Sequence, residues 1–403
     1  MKINYIIFNE RPFSPLIQSQ IIPLLTTLSK NKEITLFQFI QFWNFKSHKK
    51  EIIKTRSLLK KNGIKVKFIP FAFPEQLLTN FFLKKVLVSF TTILFKVTLN
   101  LNNSNNIYHV RGYFASLILC KIKKNKKKEL KIIFDGRSLY PLEGITRKLW
   151  NKNSLIYKSW LLSEKIIIQN ANITVCINEE IKGYYDKIHS SGEKELVPIF
   201  AVKRLTKNTT NLEGKIYNLK LKGKTVFIYS GSLEVDFWND LNLYADYIKR
   251  ISTIDNNAYF IIASNSSHKN IQNKFDSINI PKNVYTLISS NPTDVIQLYK
   301  LSDFGLQLMP PLEDGFSRLG VKVIEYLING LNVVTNDNCG SAKNLIKSSG
   351  YGFILNLDNE FDNNYKQGVI SMKISDMENH ILKKFTIDYA SSRYLELYND
   401  LTN

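Results

Sequence analysis

Arg318, Lys322 and Glu325 recur at i, i+4 and i+7 within "FSRLGVKVIEYLINGLNVV" (residues 316–334), the spacing that sets three side chains on one side of a 3.6-residue helix. Val321, Ile324 and Ile328 form an apolar stripe beside them. Two cations on one face suit an anionic ligand or a developing negative charge, and a carboxylate one turn on can accept hydroxyl hydrogens. The same spacing also describes a solvated Lys322–Glu325 pair worth a few tenths of a kcal/mol, so the stripe by itself leaves both readings open.

Other polar residues stand where apolar runs end. Gly231 and Ser232 follow "VFIYS", and a glycine there lets backbone N–H groups approach a phosphate. Gly340 and Ser341 follow "LNVVTNDNC", near the same ligand or simply in a tight strand-to-helix turn. His109 and Arg111 lie in "IYHVRGY", Asp135 and Arg137 in "FDGR"; both places are strand carboxyl ends, where open α/β sheets bind ligands. His109 reads as a substrate contact or a structural hydrogen-bonding group, and Arg111, Asp135 and Arg137 as the shapers of an acceptor or sugar side or as an Arg–Asp pair between neighbouring loops. The sequence holds no Asp-x-Asp, His-Glu-x-x-His, Gly-x-Ser-x-Gly, Walker A or full Gly-x-Gly-x-x-Gly, which disfavours bound metal, a serine elbow and a dehydrogenase.

The elements that must position these residues alternate. Apolar runs "INYIIF", "ITLFQF", "IKVKFIP", "IYHV", "LKIIFDG" and "ITVCI" are separated by helical segments, and the pattern restarts after residue 224 with "TVFIYSGS", "AYFIIAS", "VYTLI", "FGLQLMP", "LNVVT" and "GFILNL". Such alternation predicts parallel, doubly wound sheets. The expected organisation is α/β, two Rossmann-like domains with a central cleft: 1–205, a polar linker over 206–224, then 225–385, with a last helix over 386–403 placed to cross back to the first domain.

The chain has 403 residues, 44% of them hydrophobic, with 55 Lys+Arg against 34 Asp+Glu and a formal charge of +21, which implies an anionic partner: nucleic acid, an acidic membrane surface or a phosphorylated substrate. Three scattered cysteines encode neither a disulfide framework nor a zinc site and fit a reducing compartment. The first residues resemble a strand more than a leader, so a cytoplasmic protein is expected. "FFLKKVLVSFTTILFKVTLNL" (81–101) has too short an uncharged run to span a bilayer; with lysines at its margins it suits an interfacial helix, and equally a buried domain helix. The basic run "KIKKNKKKELK" (121–131) attracts anions without reading sequence.

Taken in order, "SQIIPLL", "YHVRGYFAS", "FDGRSLYPLEG", "ANITVCINEEIKGYY", "VFIYSGSL", "YKLSDFGLQLMPP" and the opening stretch resemble the retaining nucleotide-sugar glycosyltransferases of the GT-B fold, in the bacterial surface-polysaccharide group. The resemblance spans most of the chain. It implies transfer of a sugar from a nucleotide diphosphate donor to a glycan or lipid-linked acceptor, without metal and with the nucleotide-sugar as co-substrate rather than a cofactor. It implies catalytic roles for Arg318, Lys322 and His109, and donor contacts from Gly231, Ser232, Ser317, Glu325, Gly340 and Ser341. Arg111, Asp135 and Arg137 fall on the acceptor or sugar side, and the enzyme would sit peripherally on the inner face of an anionic cytoplasmic membrane, with no specific nucleic acid as partner. The family's Glu-x7-Glu pattern is broken: Ser317 stands where its first acid belongs, so either Ser317 replaces it or Asp314 is delivered by a longer loop. A non-catalytic basic protein for nucleic acid or an anionic surface is the alternative, and an epimerase on the same fold a third.

Overall fold

The computed structural model describes residues 2–126, 129–202, 221–235, 238–289, 294–355 and 382–402. The predicted linker up to residue 220, and Lys127 and Lys128 of the basic run, lie outside the described residues. Two compact units emerge: Met1–Phe200 with Thr386–Asn403, and Ala201–Phe385.

The first unit carries seven strands, β1 (Lys2–Phe8), β2 (Glu33–Gln41), β3 (Lys65–Phe71), β4 (Asn106–Arg111), β5 (Lys131–Asp135), β6 (Ile173–Cys176) and β7 (Glu193–Leu196). Their order is β3-β2-β1-β4-β5-β6-β7 and every pairing is parallel. Helices α1 (Ile22–Leu28), α2 (Phe42–Ser47), α3 (Lys49–Lys61), α4 (Phe81–Thr98), α5 (Tyr113–Lys126), α6 (Tyr140–Thr146), α7 (Leu155–Asn170) and α8 (Glu179–Ile188) connect them. The second unit repeats the plan with six parallel strands, β8 (Thr225–Ser230), β9 (Ala258–Ala263), β10 (Tyr285–Ile288), β11 (Phe304–Gln307), β12 (Asn332–Asn336) and β13 (Gly352–Leu355), ordered β10-β9-β8-β11-β12-β13. Its helices are α9 (Leu241–Ile254), α10 (His268–Ser277), α11 (Asp294–Tyr299), α12 (Val321–Ile328) and α13 (Gly340–Ser349); α14 (Ile387–Asp400) belongs to the first unit and packs on α1. In each sheet the connections reverse direction beside the first strand, at β1/β4 and β8/β11, the switch point at which such sheets bind ligands.

The apolar runs form strands because both sheet faces are covered, and β1, β4, β8 and β12 are buried almost throughout. β7, "EKEL", carried no apolar signal; it is an edge strand, half exposed, and charges on such an edge discourage further pairing. α12 also differs from the expected helix. It starts at Val321 after Gly320, so Arg318 precedes it in extended backbone, and its buried face is Val323, Ile324, Tyr326 and Leu327. Arg318 is kept out of the helix because its carbonyl accepts the Ala342 N–H, at 3.1 Å, instead of an intrahelical donor.

α4 has a buried face and an exposed apolar face. Asn80 caps it, accepting from the Phe82 and Leu83 N–H groups, and Leu87, Val88, Thr91 and Phe95 are buried. The opposite face exposes Phe82, Val86, Phe90, Ile93 and Val97. Among the described residues no helix is long and apolar enough to cross a membrane.

Lys84 is the exception on the buried side of α4. Its Nζ donates to Ser159 O (2.9 Å), Ser159 Oγ (3.0 Å) and Ser163 Oγ (2.8 Å) and lies 3.6 Å from the centre of the Trp160 ring, tying α4 to α7. Burial pulls its pKa down to about 6, even with three oxygens and a ring face arranged to hold an ammonium. The unfolded chain therefore binds more protons than the folded one between about pH 6 and the ordinary lysine range, and stability rises with pH across that window. Urea midpoints at pH 6.5 and pH 9 should rise for the wild type by an amount worth roughly 1 kcal/mol or more, each pKa unit being worth about 1.4 kcal/mol, and stay flatter in Lys84→Met. Parallel midpoints in the two proteins would remove Lys84 as the cause.

Candidate active site

At the switch point of the first sheet, β4 ends in His109 and Arg111 and β5 in Asp135, one strand apart in register. Asp135 is fully buried. Arg111 Nη1 lies 3.7 Å from its Oδ2, Arg137 Nε 3.7 Å from its Oδ1, and the Tyr394 hydroxyl donates to it at 3.4 Å. Burial alone would raise the carboxyl's pKa, but Arg137, His109 and Arg111 outweigh it and hold Asp135 well below the usual carboxylate range. Arg137 takes a left-handed backbone (φ 61°), a conformation that a non-glycine residue holds only where its surroundings impose it.

His109 is also fully buried. Its Nδ1 is 2.6 Å from the Tyr398 hydroxyl, its Nε2 3.6 Å from Asp135, and its ring packs on Tyr5 and Tyr394. Burial lowers its pKa, which favours the neutral imidazole. The four residues anticipated on this side thus form one cluster, with Arg111 and Arg137 nearest the surface and His109 beneath them. Sequence reading missed Tyr394 and Tyr398, although their i, i+4 spacing in "YLELY" was the signal. It also missed Asn9, Glu10 and Glu75, which follow β1 and β3 at the same edge; Asn9 Nδ2 donates to Glu75 Oε2 at 2.8 Å, and burial raises both carboxyls.

In the second unit the corresponding edge gathers Gly231, Ser232 and Lys322. A Cβ built on Gly231 would stand 2.5 Å from Lys322 Nζ, so the amine lies directly over this backbone, and the positive φ of 132° is one that favours glycine. Lys322 Nζ donates to the Tyr229 hydroxyl at 3.1 Å and lies 4.5 Å from that ring's centre; the Tyr229 hydroxyl in turn donates to Ser232 O. The Gly231 N–H is taken by Ala263 O (2.9 Å) and that of Leu233 by Ser266 Oγ (3.1 Å), which leaves the Ser232 N–H as the loop's donor with no internal acceptor among the described residues. Burial pulls the Lys322 pKa down to about 8, partly offset by Glu325 one turn on.

The neighbouring turn is equally constrained. Arg318 is ion-paired with Asp314 and lies 4.6 Å from the centre of the Trp238 ring, a partner the sequence did not disclose. Asp314 and Ser317 are both buried, and Ser317 Oγ donates to Asp314 O at 2.9 Å, so both positions weighed for the missing acid are engaged within the turn. A Cβ on Gly340 would stand 2.6 Å from Phe316 Cα, so this glycine permits α13 to begin hard against the Arg318 turn, with Ser341 buried beside it. A cation held over a glycine loop, beside a helix start, is equipped to bind phosphate oxygens. No group of three or more His, Cys, Asp or Glu able to hold a metal occurs among the described residues.

Asp135→Asn leaves two guanidinium groups near a neutral amide, so thermal and urea unfolding at pH 7 should show a loss of about 3–5 kcal/mol. The carboxyl's lowered pKa contributes stability that is present above the unfolded value near pH 4 and lost as pH falls below it. The variant should therefore lose less stability than the wild type between pH 5 and pH 3, and equal acid losses would contradict the ion-pair assignment.

No family model matches the sequence, and no curated protein matches it either. Solved structures do. Sucrose-phosphate synthase from Thermosynechococcus elongatus superposes with a TM-score of 0.65 at 12% identity, covering 100% of this chain and 99% of its own. The Anabaena protein HepE in complex with UDP gives 0.67 at 12%, covering 99% and 100%. The lipopolysaccharide outer core galactosyltransferase WaaB, in apo form, gives 0.66 at 15%, covering 99% of each chain. At these identities the likeness is one of fold, and the chain has the GT-B architecture of two Rossmann-like α/β domains.

Proposed function

We propose that this protein is a retaining, metal-independent glycosyltransferase that moves a sugar from a nucleotide diphosphate donor to a glycan or lipid-linked acceptor in bacterial surface-polysaccharide synthesis. The observation that carries the reading is the Lys322 ammonium seated over the Gly231 backbone at the second sheet's switch point. Donor diphosphate binds there, between Lys322, the Ser232 N–H and the start of α13 with Gly340 and Ser341. Arg318, fixed by Asp314 and Trp238, supplies the second cation, and Glu325 accepts the ribose hydroxyls. The UDP bound by HepE and the galactosyltransferase WaaB are in keeping with such a donor.

As the donor's glycosidic C–O bond breaks, its electron pair stays on the diphosphate, and Arg318 and Lys322 stabilise that charge. The departing phosphate oxygen takes the acceptor hydroxyl's proton while the acceptor oxygen bonds to the sugar on the same face, so no enzymic nucleophile is consumed. In the first unit Arg111 and Arg137 meet the acceptor or sugar, and His109, buried beneath them, acts as a positioning residue. The exposed apolar face of α4, bordered by Lys85 and Lys96, supports peripheral attachment to the anionic inner face of the cytoplasmic membrane, where a lipid-linked acceptor resides.

Lys322→Ala should lower kcat by about 10² or more while changing stability little. Arg318→Ala alone strands the buried Asp314 carboxylate, so Asp314→Asn/Arg318→Ala is the cleaner second variant, with a similar loss expected. Folded variants with normal turnover of UDP-, GDP-, CDP- or ADP-sugars would refute the phosphate role, and salt-sensitive DNA binding without donor binding would favour the non-catalytic alternative.

The Lys322 pKa near 8 gives a second signature. The amine is charged below that value and neutral above it, so donor binding weakens as pH rises through about 8. The wild-type kcat/KM should fall about tenfold per unit above that point, whereas Lys322→Arg should hold its own level at least one unit further. Coincident pH profiles would remove Lys322 from the site.

A further inference from the structure

A cavity of about 620 Å³ opens at the amino-terminal edge of the first sheet, the end opposite to His109, Arg111 and Asp135. Lys2, Lys67 and Lys96 line it together with several asparagines, and no carboxylate lines it among the described residues. Two of those amides, Asn4 and Asn106, are buried, while Phe37, Leu99 and Ile122 give it an apolar floor. Glu33, in register with Lys2, is already engaged by Lys65 at 2.7 Å. α4 ends here, and the partial negative charge of its last carbonyls is opposed by Lys96 in the same turn, which leaves Lys2 and Lys67 as positive charge in excess. Lysines attract phosphate as point charges, and amides that both donate and accept suit the hydroxyls around one. The volume lies in the range of small-molecule sites.

The mouth of the cavity is not isolated. Val97, 80% exposed, lines it and is also the last residue of the α4 stripe that runs through Ile93, Phe90 and Val86 to Phe82, 70% exposed. From Phe82 to Val97 that stripe extends about 22 Å along the helix, enough to lie in the plane of a bilayer interface. A glycerophospholipid joins acyl chains and a phosphate in one molecule, the two features that the stripe and the cavity would each suit.

We propose that this cavity is a binding site for the phosphate-bearing headgroup of an anionic glycerophospholipid, engaged by Lys2, Lys67 and Lys96 when the α4 stripe lies on the membrane. The inference rests on the peripheral-membrane reading above and adds to it a defined headgroup site distant from the transfer chemistry.

Sedimentation of the full chain with phosphatidylglycerol and with phosphatidylcholine vesicles tests it. Lys2→Gln/Lys67→Gln should weaken binding to the anionic vesicles about tenfold or more, and Lys50→Gln/Lys54→Gln, which removes the same charge from the exposed face of α3, should weaken it much less. Equal losses in the two variants would show that net charge alone is at work and would overturn the site. Phe90→Ser/Ile93→Ser separates the two readings: if it binds both vesicles as the wild type does, the membrane face itself is wrong, whereas if it fails and the lysine variants match each other, only the headgroup site is. Glycerol 3-phosphate that stabilises the wild type, with vesicle binding unchanged in Lys2→Gln/Lys67→Gln, would assign the cavity to a soluble phosphate ester and overturn the lipid proposal.

Discussion

A parallel sheet sends the carboxyl end of every strand to one edge, and both sheets of this chain are parallel throughout. That constraint brings His109, Arg111 and Asp135 together although 26 and 24 positions separate the first two from the third, and it brings Gly231 to Lys322 across most of a domain. The opposite edge collects helix carboxyl ends and the lysines that complement them. One topological choice thus yields two chemically different rims in the first unit, a cluster of arginines, carboxylate and imidazole at one and a basic cavity at the other.

The two candidate clusters treat charge differently. In the first unit a carboxylate without solvent access is held by two arginines, an arrangement that fixes geometry at a desolvation cost and leaves little freedom to titrate. In the second, Lys322 has no carboxylate within ion-pair distance among the described residues and leans on the phenol and ring face of Tyr229. Tyr229 completes this economy: burial keeps its phenol protonated, so it accepts from the lysine and donates to the glycine loop, linking cation and loop through one oxygen.

Fold class was legible because apolar runs of strand length, spaced by helical segments, have one economical solution. β7 was not, since a half-exposed edge strand has no need of apolar residues. Within the site, the residues at strand ends could be located because position along an apolar run specifies the edge. Their partners could not. Trp238 beneath Arg318, and Tyr394 and Tyr398 against Asp135 and His109, come from segments distant in sequence whose approach depends on packing rather than on local pattern. The opening triad shows a third kind of limit: helical spacing joins Arg318 to Lys322 on paper, whereas a hydrogen bond from Ala342 ends the helix before Arg318 can enter it.

α14 also bears on how the protein is made. It supplies the hydroxyls that meet His109 and Asp135, yet it is translated only after the whole second unit. At cellular synthesis rates of about 5–20 residues per second, the emerging first unit waits on the order of tens of seconds with an arginine-bound carboxylate and an imidazole uncovered at its sheet edge. A nascent chain in that condition is a ready client for chaperones, and a ribosome that stalls within the second unit releases a first unit that lacks part of its own core.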